Sequence, residues 1–560
     1  MSKYTVQGLV VLGAGLLAAC SLLYDLSADQ CEIDADCAAI GLPGRCVAGV
    51  CTPTNMQTGG TGGGGGSEAG TGGCKTNKDC LGEETIIDPS VCIEGECVDL
   101  TTEECPVVLP LDEQRLRASL TTGSAIVFGA FAPFRSDLSS VPMLNYDLAF
   151  TEFSQVNGLP PVGSGGRRPV IGVVCQTPEE SDGDFGKIDR SMEHLVDRLR
   201  VPGIIGGLHP EHLQHAFDSK GLDAQVFFVS PGESERQLVA TRDDGLMWHL
   251  LPGGADIAVS YPAALDRVIR YLETTSAIDP GEPVRVALVT ADNRFLNQVR
   301  EVIQDTLRFN GKSPSENEED GNWLSIVIPF QGTDLGDYTE AVVDFRPHVI
   351  IGNAFIEFLF EMMPGIETLW PSGQARPFYM LSPFHYLPGL DLNSVIGLNS
   401  TMRRRIIGMN APSAEDHELY DDYIKELKLR YRDDAQEGYE NFYDAAYFLI
   451  YSAAAADKVP VLTGADLARG MLRLLHEDGA EVKVGGKHIT KTLDTMLQSD
   501  PPRVRLLGTL GPPDFTSNGA RKGPASIWCI SSTAEYVADV LRYDAESDEF
   551  YGDFSCFSDF

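Results

Sequence analysis

The sequence predicts an α/β protein of two doubly wound lobes, preceded by small disulfide-rich repeats. Three observations lead there. From Thr122 onward, short apolar runs alternate with amphipathic helical stretches. The runs are continuously hydrophobic rather than alternating, as expected for parallel strands buried on both faces. There are also enough of them for two sheets, whereas the chain before Cys105 is rich in cysteine and glycine and cannot build a sheet of this kind.

The N-terminal stretch Val10-Val-Leu-Gly-Ala-Gly-Leu-Leu-Ala-Ala-Cys20 contains Gly-x-Gly-x-x-Ala, the pattern of a dinucleotide-binding turn. That fold needs a strand before the turn, a helix after it and an acidic residue about 20 positions on. Here Lys3 is the only charge before the run, and cysteine-rich sequence follows it. An apolar core from Gly8 to Ala19, ending in small residues before Cys20, fits an export signal. It is too short to span a bilayer comfortably, which takes about 20 residues. Residues 1–19 are expected to be a bacterial lipoprotein signal, with Cys20 lipidated and the protein in the cell envelope.

The chain has 13 cysteines, so 12 remain beside Cys20. Cys31, Cys37, Cys46 and Cys51 form one block, and Cys74, Cys80, Cys92 and Cys97 form a second with similar spacing and similar "VAGVC" and "IEGEC" endings. Zinc ligands usually come as close Cys pairs, often with histidine, and neither block holds a histidine, which argues for cystines rather than zinc. Blocks this small need crosslinks to be stable. The region 20–105 therefore reads as two cystine repeats, about 31–51 and 74–97, joined by a glycine-rich spacer at 56–73. A net charge of −38 argues against nucleic acid or anionic lipid as a partner.

The predicted strands are "SAIVFGAFAP", "RPVIGVVC", "VPGIIGG", "AQVFFVS", "VRVALVT", "LSIVIPF", "PHVIIGN" and "RPFYMLS". Between them, "GKIDRSMEHLVDRLR" aligns Ile188, Met192, Leu195, Val196 and Leu199 on one stripe. "NQVREVIQDTLRFNG" aligns Val299, Val302, Ile303, Thr306 and Leu307, with Gly311 expected as its C-terminal cap. At the end of the chain, "SIWCISSTAEYVADVLRYDAESDEFYGDFSCF" reads as a β-hairpin, and Cys529 is expected to pair with Cys556. Cys105 and Cys175 are left either bridged to each other or with Cys175 as a buried thiol.

Wound sheets bind ligands at the carboxyl ends of their strands. Four such ends carry small or polar loops: Gly206 to Pro210, Ser230 to Ser234, Ala291 to Phe295, and Gly352 to Glu357. The order of these pieces resembles the type I periplasmic binding proteins, in particular the branched-chain amino-acid binding group of ABC transporters. "YDLAFTEFSQVNG", "GIIGGLHPEHLQHAF", "AQVFFVSPGES", "VRVALVTADNRFLNQV", "NFYDAAYFLIYSA" and "VRLLGTLGPPDFTSNGARKG" occur collinearly with that family's landmarks over about residues 122–530. The resemblance implies two lobes joined by three crossovers, one at 122–252 plus 411–508, the other at 253–410 plus 509–560. It also implies ligand contacts from Leu208, His209, Pro210, Ser230, Pro231, Gly232, Glu233 and Ser234 in one lobe, and from Phe295, Phe355 and Glu357 in the other. In the family the first set holds a carboxylate and the second meets the amine.

This chain departs from that pattern. Leu-His-Pro replaces a small hydroxyl residue in the first loop, and Phe295 lacks the hydroxyl of the tyrosine expected there. Glu233 falls near the carboxylate pocket, where like charges about 4 Å apart would cost roughly 4 kcal/mol. Glu233 and Glu235 also suit the start of a helix. His209, His212 and His215 drift around a helix axis and bring no completing ligand, so no metal is assigned. Ser230 lies outside a G-x-S-x-G elbow, so no catalytic residue and no cofactor is assigned. The implied function is a lipid-anchored solute-binding protein for a small polar ligand, partnered by an inner-membrane ABC permease. The alternative is an envelope interaction or sensory lipoprotein, favoured by the cystine repeats and by Ser21, since aspartate at that position retains many lipoproteins at the inner membrane.

Overall fold

A computed structural model describes residues 44–47, 50–53 and 73–560, except 82–88, 123, 135–139, 179–184, 233, 242, 280, 331–333, 387–399, 412–417, 433–437, 513, 524 and 558–559. The export signal, Cys20, Cys31, Cys37, the glycine spacer and Glu233 lie outside the described residues, as do the side chains of Cys46 and Cys51. In the first repeat, Gly44–Val47 pairs antiparallel with Val50–Pro53, and Cys46 stands opposite Cys51.

Residues 73–133 and 140–560 form one compact unit. The second repeat is a hairpin, Ser90–Ile93 with Glu96–Asp99, tied by disulfides Cys74–Cys92 and Cys80–Cys97. It is docked on its neighbour: Val91, Val98 and Leu100 are buried in the core of the first lobe. The Arg200 guanidinium also donates to Glu94 at 2.9 Å.

The first sheet contains β1 (Val107–Leu109), β2 (Ile126–Ala132), β3 (Val170–Gln176), β4 (Gly203–Ile205), β5 (Phe227–Ser230) and β6 (Met247–His249). Its order is β6-β5-β4-β2-β3-β1, parallel except for β1. Helix α1 (Val141–Gln155) follows β2, and α2 (Pro210–Ala216) follows β4. The second sheet begins with β7 (Val286–Ala291), followed by helix α3 (Arg294–Thr306), β8 (Trp323–Ile328), β9 (Val349–Asn353), β10 (Phe378–Leu381) and β11 (Ile406–Asn410). These five strands are parallel, and their strand ends face the same rim. The continuous apolar runs have the predicted consequence: all six residues of β7 are buried, with apolar clusters on both faces of the sheet.

The chain then returns to the first lobe through α4 (Glu418–Tyr431) and α5 (Glu440–Ala455), and a small parallel pair, β12 (Ala480–Lys483) with β13 (Val504–Leu507). It crosses back to add β14 (Ser526–Ile530), β15 (Tyr536–Asp544) and β16 (Glu549–Tyr551) to the second sheet. Strand membership thus puts crossings after His249, after Asn410 and between Leu507 and Ser526. Two of them run side by side, with the His249 N–H donating to Gly519 O at 2.8 Å and the Arg521 N–H to His249 O at 3.0 Å.

Some elements differ from expectation. The terminal hairpin is a three-stranded antiparallel extension of the sheet, because β14 pairs with β11 as well as β15. Cys529 is bonded to Cys556, and Cys105 to Cys175. Helix α3 stops at Thr306, well before Gly311. Leu307 turns extended to bury its side chain completely, and Gly311, at φ +72°, serves the tight Phe309–Lys312 turn. Among the described residues no helix is long and apolar enough to cross a membrane.

Candidate functional site

Strand order reverses at β2/β4 in the first sheet and at β7/β9 in the second, so the loops after these strands line the crevices. In the first lobe the Gly206–Pro210 loop is drawn tightly against β2. A Cβ on Gly207 would lie 2.2 Å from Phe131 O, so only glycine allows the approach. The Tyr146 hydroxyl donates to Phe131 O at 3.2 Å, and Thr177 Oγ1 donates to Gly207 O at 2.8 Å. Leu208 turns inward and is buried in the lobe core. His209 precedes the first turn of α2, with Pro210 opening the helix. Burial, reinforced by His212, lowers the His209 pKa.

The three histidines do not converge on one point. His209 meets His212 ring to ring at 6.1 Å, while His215 stacks on Phe185 at 4.4 Å and its Nε2 lies 2.7 Å from Asp189. Among the described residues, the one group with metal-ligand proximity is Cys74, Cys80 and Cys92, whose sulfurs are committed to disulfides.

The second loop leaves β5 at Ser230, which is fully buried. Pro231 O accepts from Asn441 Nδ2 at 2.8 Å, and Gly232 is half-buried. Ser234 is 4 % exposed, and its hydroxyl has no hydrogen-bond partner among the described residues. The next residue, Glu235, reaches the other lobe. Its carboxylate lies 2.8 Å from Arg294 and also accepts from Gln298. It accepts from the Gln237 N–H at 3.0 Å as well, at the start of a short helix. Arg294 in turn donates to Gln237 Oε1 at 2.6 Å. The two rims are therefore joined by the protein's own side chains.

In the second lobe Asn293 caps α3, its side chain accepting from the Phe295 N–H at 2.9 Å. The Phe295 ring packs against Gly254 and lies 5.3 Å from Phe384. Phe355 sits between Phe330 (4.9 Å) and Phe384 (4.4 Å). Glu357 is 7 % exposed, burial pushes its pKa up, and its Oε1 has no partner among the described residues. His385 supports this rim: its Nε2 donates to Phe355 O at 2.8 Å and its Nδ1 accepts from the Ser382 N–H at 3.2 Å. Burial pushes His385 down to about 4, which keeps it neutral and in this donor–acceptor pattern.

The expected set is thus distributed. Ser230, Pro231, Gly232 and Ser234 share one rim, Phe295, Phe355 and Glu357 share the other, and Leu208 belongs to the core. Arg294 and Asn353 lie within the rim loops, and no local sequence signal sets them apart from their neighbours. Asn353 is fully buried, and its Nδ2 donates to Leu296 O at 2.8 Å and to Thr290 Oγ1 at 3.3 Å. By sequence Glu235 suits the start of a helix, and only its partner in the other lobe reveals the bridge. His385 carried no local signal.

No protein-family model matches this sequence, and no curated protein matches it. Solved structures do. A branched-chain amino acid transporter substrate binding protein, LivJ of Streptococcus pneumoniae in complex with isoleucine, aligns over 75% of this chain and 99% of its own. The TM-score is 0.50 and the identity 10%. A possible leucine/isoleucine/valine-binding protein from Rhodopirellula baltica aligns over 74% and 96%, at TM-score 0.49 and 10% identity. A solute binding protein of an ABC transporter from R. palustris, in complex with benzoate, aligns over 74% and 95%, at TM-score 0.47 and 10% identity. Two wound lobes, three crossings and facing switch points agree with the first of these likenesses, and the fold is that of the type I periplasmic binding proteins.

Proposed function

We propose that this chain is an extracytoplasmic solute-binding protein, lipid-anchored through Cys20, that closes two lobes on a small polar, amino acid-like ligand and presents it to an ABC permease. The observation that carries this reading is the pair of buried, unpartnered oxygens at opposite rims, Ser234 Oγ and Glu357 Oε1. A buried polar atom without a partner costs about 1–3 kcal/mol, so each is a place where a ligand donor adds stability. Glu357 suits an ammonium group, whose charge would offset the burial that raises its pKa. Closure is then a population shift toward the state that holds the ligand better.

A second reading, an envelope interaction or sensory lipoprotein without transport, is favoured by the Glu235–Arg294 bridge, which joins the lobes through side chains alone. A thermal-shift screen with amino acids, amides, peptides and sugars separates the two. A ligand at 100 times its Kd adds about 2.7 kcal/mol, and Glu357→Gln should abolish the shift. If no solute moves the melting transition, the transport reading fails and the second stands.

A further inference from the structure

A cavity of about 360 Å³ lies within the first lobe, between α1, α4, α5 and the Val484–His488 loop. None of its lining residues belongs to the loops after β2, β4 or β5, or to the second lobe. At its floor is Glu152, 6 % exposed, whose Oε2 accepts from the Tyr443 hydroxyl at 2.6 Å and from the Tyr447 hydroxyl. Gly486 closes over the same carboxyl so tightly that a Cβ there would lie 3.0 Å from Oε1.

The charges around this cavity do not balance. Its cations have carboxylate partners: Lys487 is paired with Asp422 and, at 3.6 Å, with Glu418, while Arg430 lies 3.5 Å from Asp147. Glu152 and Glu426 line the cavity with no cationic partner among the described residues. Tyr423 and Tyr443, whose ring centroids are 4.8 Å apart, supply aromatic surface beside them. On the loop side, His488 Nε2 is buried without a hydrogen-bond partner. A carboxylate held deep in a cavity, a second one near the mouth, and aromatic rings between them favour a positively charged guest. The volume lies in the range of sites that enclose small molecules.

We propose that this cavity is a ligand site separate from the crevice between the lobes, and that it takes a small organic cation with a primary ammonium group, held by Glu152 and Glu426 against the Tyr423 and Tyr443 rings. The ammonium donates to the carboxylates, and an apolar or aromatic body covers the rings. An anionic guest would instead meet two carboxyl groups that have no cationic partner among the described residues, and a neutral one would leave Glu426 without a counter-charge.

The test is a titration of the full chain with 2-phenylethylamine, with 2-phenylethanol and phenylacetate as neutral and anionic counterparts, read by thermal shift and by calorimetry. The amine should raise the melting temperature saturably, and the alcohol and acid should not. Glu152→Gln should weaken amine binding at least tenfold. Glu426→Gln, at an exposed position, should weaken it several-fold and serves if the buried variant does not fold. Glu357→Gln, in the crevice, should leave it unchanged. The proposal is overturned if the alcohol binds as well as the amine, if no saturable shift occurs up to 10 mM amine, or if Glu357→Gln abolishes binding while Glu152→Gln and Glu426→Gln keep it. The last outcome would return the amine to the crevice, so failure here is distinct from failure of the transport reading.

Discussion

Replacing Glu152 by glutamine isolates the electrostatics of one buried carboxyl. Burial is the main cause that raises its pKa from 4.5 to about 7, aided by the Glu426 charge and opposed by the Tyr443 and Tyr447 hydroxyls and the Gly486 backbone. The folded protein therefore holds this proton more tightly than the unfolded chain does between about pH 4.5 and 7. Stability falls as pH rises through that window, and the full deficit is present above it. The rise from 4.5 to about 7 corresponds to about 3 kcal/mol. Glutamine keeps the shape and still accepts from the tyrosine hydroxyls, with no charge to bury. Urea midpoints measured at pH 5, 6, 7 and 8 should show Glu152→Gln close to wild type at pH 5 and more stable by up to about 3 kcal/mol at pH 8. His385 works in the opposite direction. Its folded pKa, about 4, lies below the ordinary 6.5, so it costs stability as pH falls through that range. It is present in both proteins and cancels in the difference. A variant less stable than wild type at pH 8, or a difference that does not change with pH, would refute this account of Glu152.

Three other expectations follow from packing and crosslinks. Exchanging Cys529 and Cys556 together for serine opens a loop of sequence separation 27, and denaturation should show a loss of about 3–4 kcal/mol, without effect on the first lobe's own hydrogen-exchange protection. Gly408→Ala should destabilise the second lobe by roughly 1–3 kcal/mol or more in the same assay, because a Cβ there would sit 2.0 Å from the buried Trp528 indole on the neighbouring strand. Arg294→Ala removes the cation facing a fully buried Glu235 carboxylate, with an expected loss of about 3–5 kcal/mol less whatever solvent reaches the half-buried arginine. Small-angle scattering should also show it shifted toward a more open pair of lobes, and unchanged scattering with unchanged stability would show that the bridge holds nothing.

The architecture was legible in the sequence because its cause is local. Val286 to Val289 within "VRVALVT" and Val349 to Ile351 within "PHVIIGN" are apolar without a break, and a strand of that kind is stable only between two layers of helices. The same runs told which loops would stand at the strand ends, since the chain must turn where the apolar run stops. Cys529–Cys556 was within reach for a similar reason: both flank a compact antiparallel segment. What stayed hidden depends on residues far apart in the chain. The Glu235–Arg294 bridge joins positions in different lobes, and nothing near Glu235 distinguishes a helix-start carboxylate from one that crosses a gap. The inward turn of Leu208 and the docking of Val91 and Val98 on the first lobe are likewise settled by the shape of a core that the local sequence does not describe. Glu152 is the clearest case. It lies within the "YDLAFTEFSQVNG" segment, but its buried state comes from Tyr443 and Tyr447, some 290 residues later, and from a glycine that packs over its carboxyl. Hydrophobic periodicity reaches only along one element. The free energy of a buried charge is set by whatever the fold brings around it, and that is decided in three dimensions.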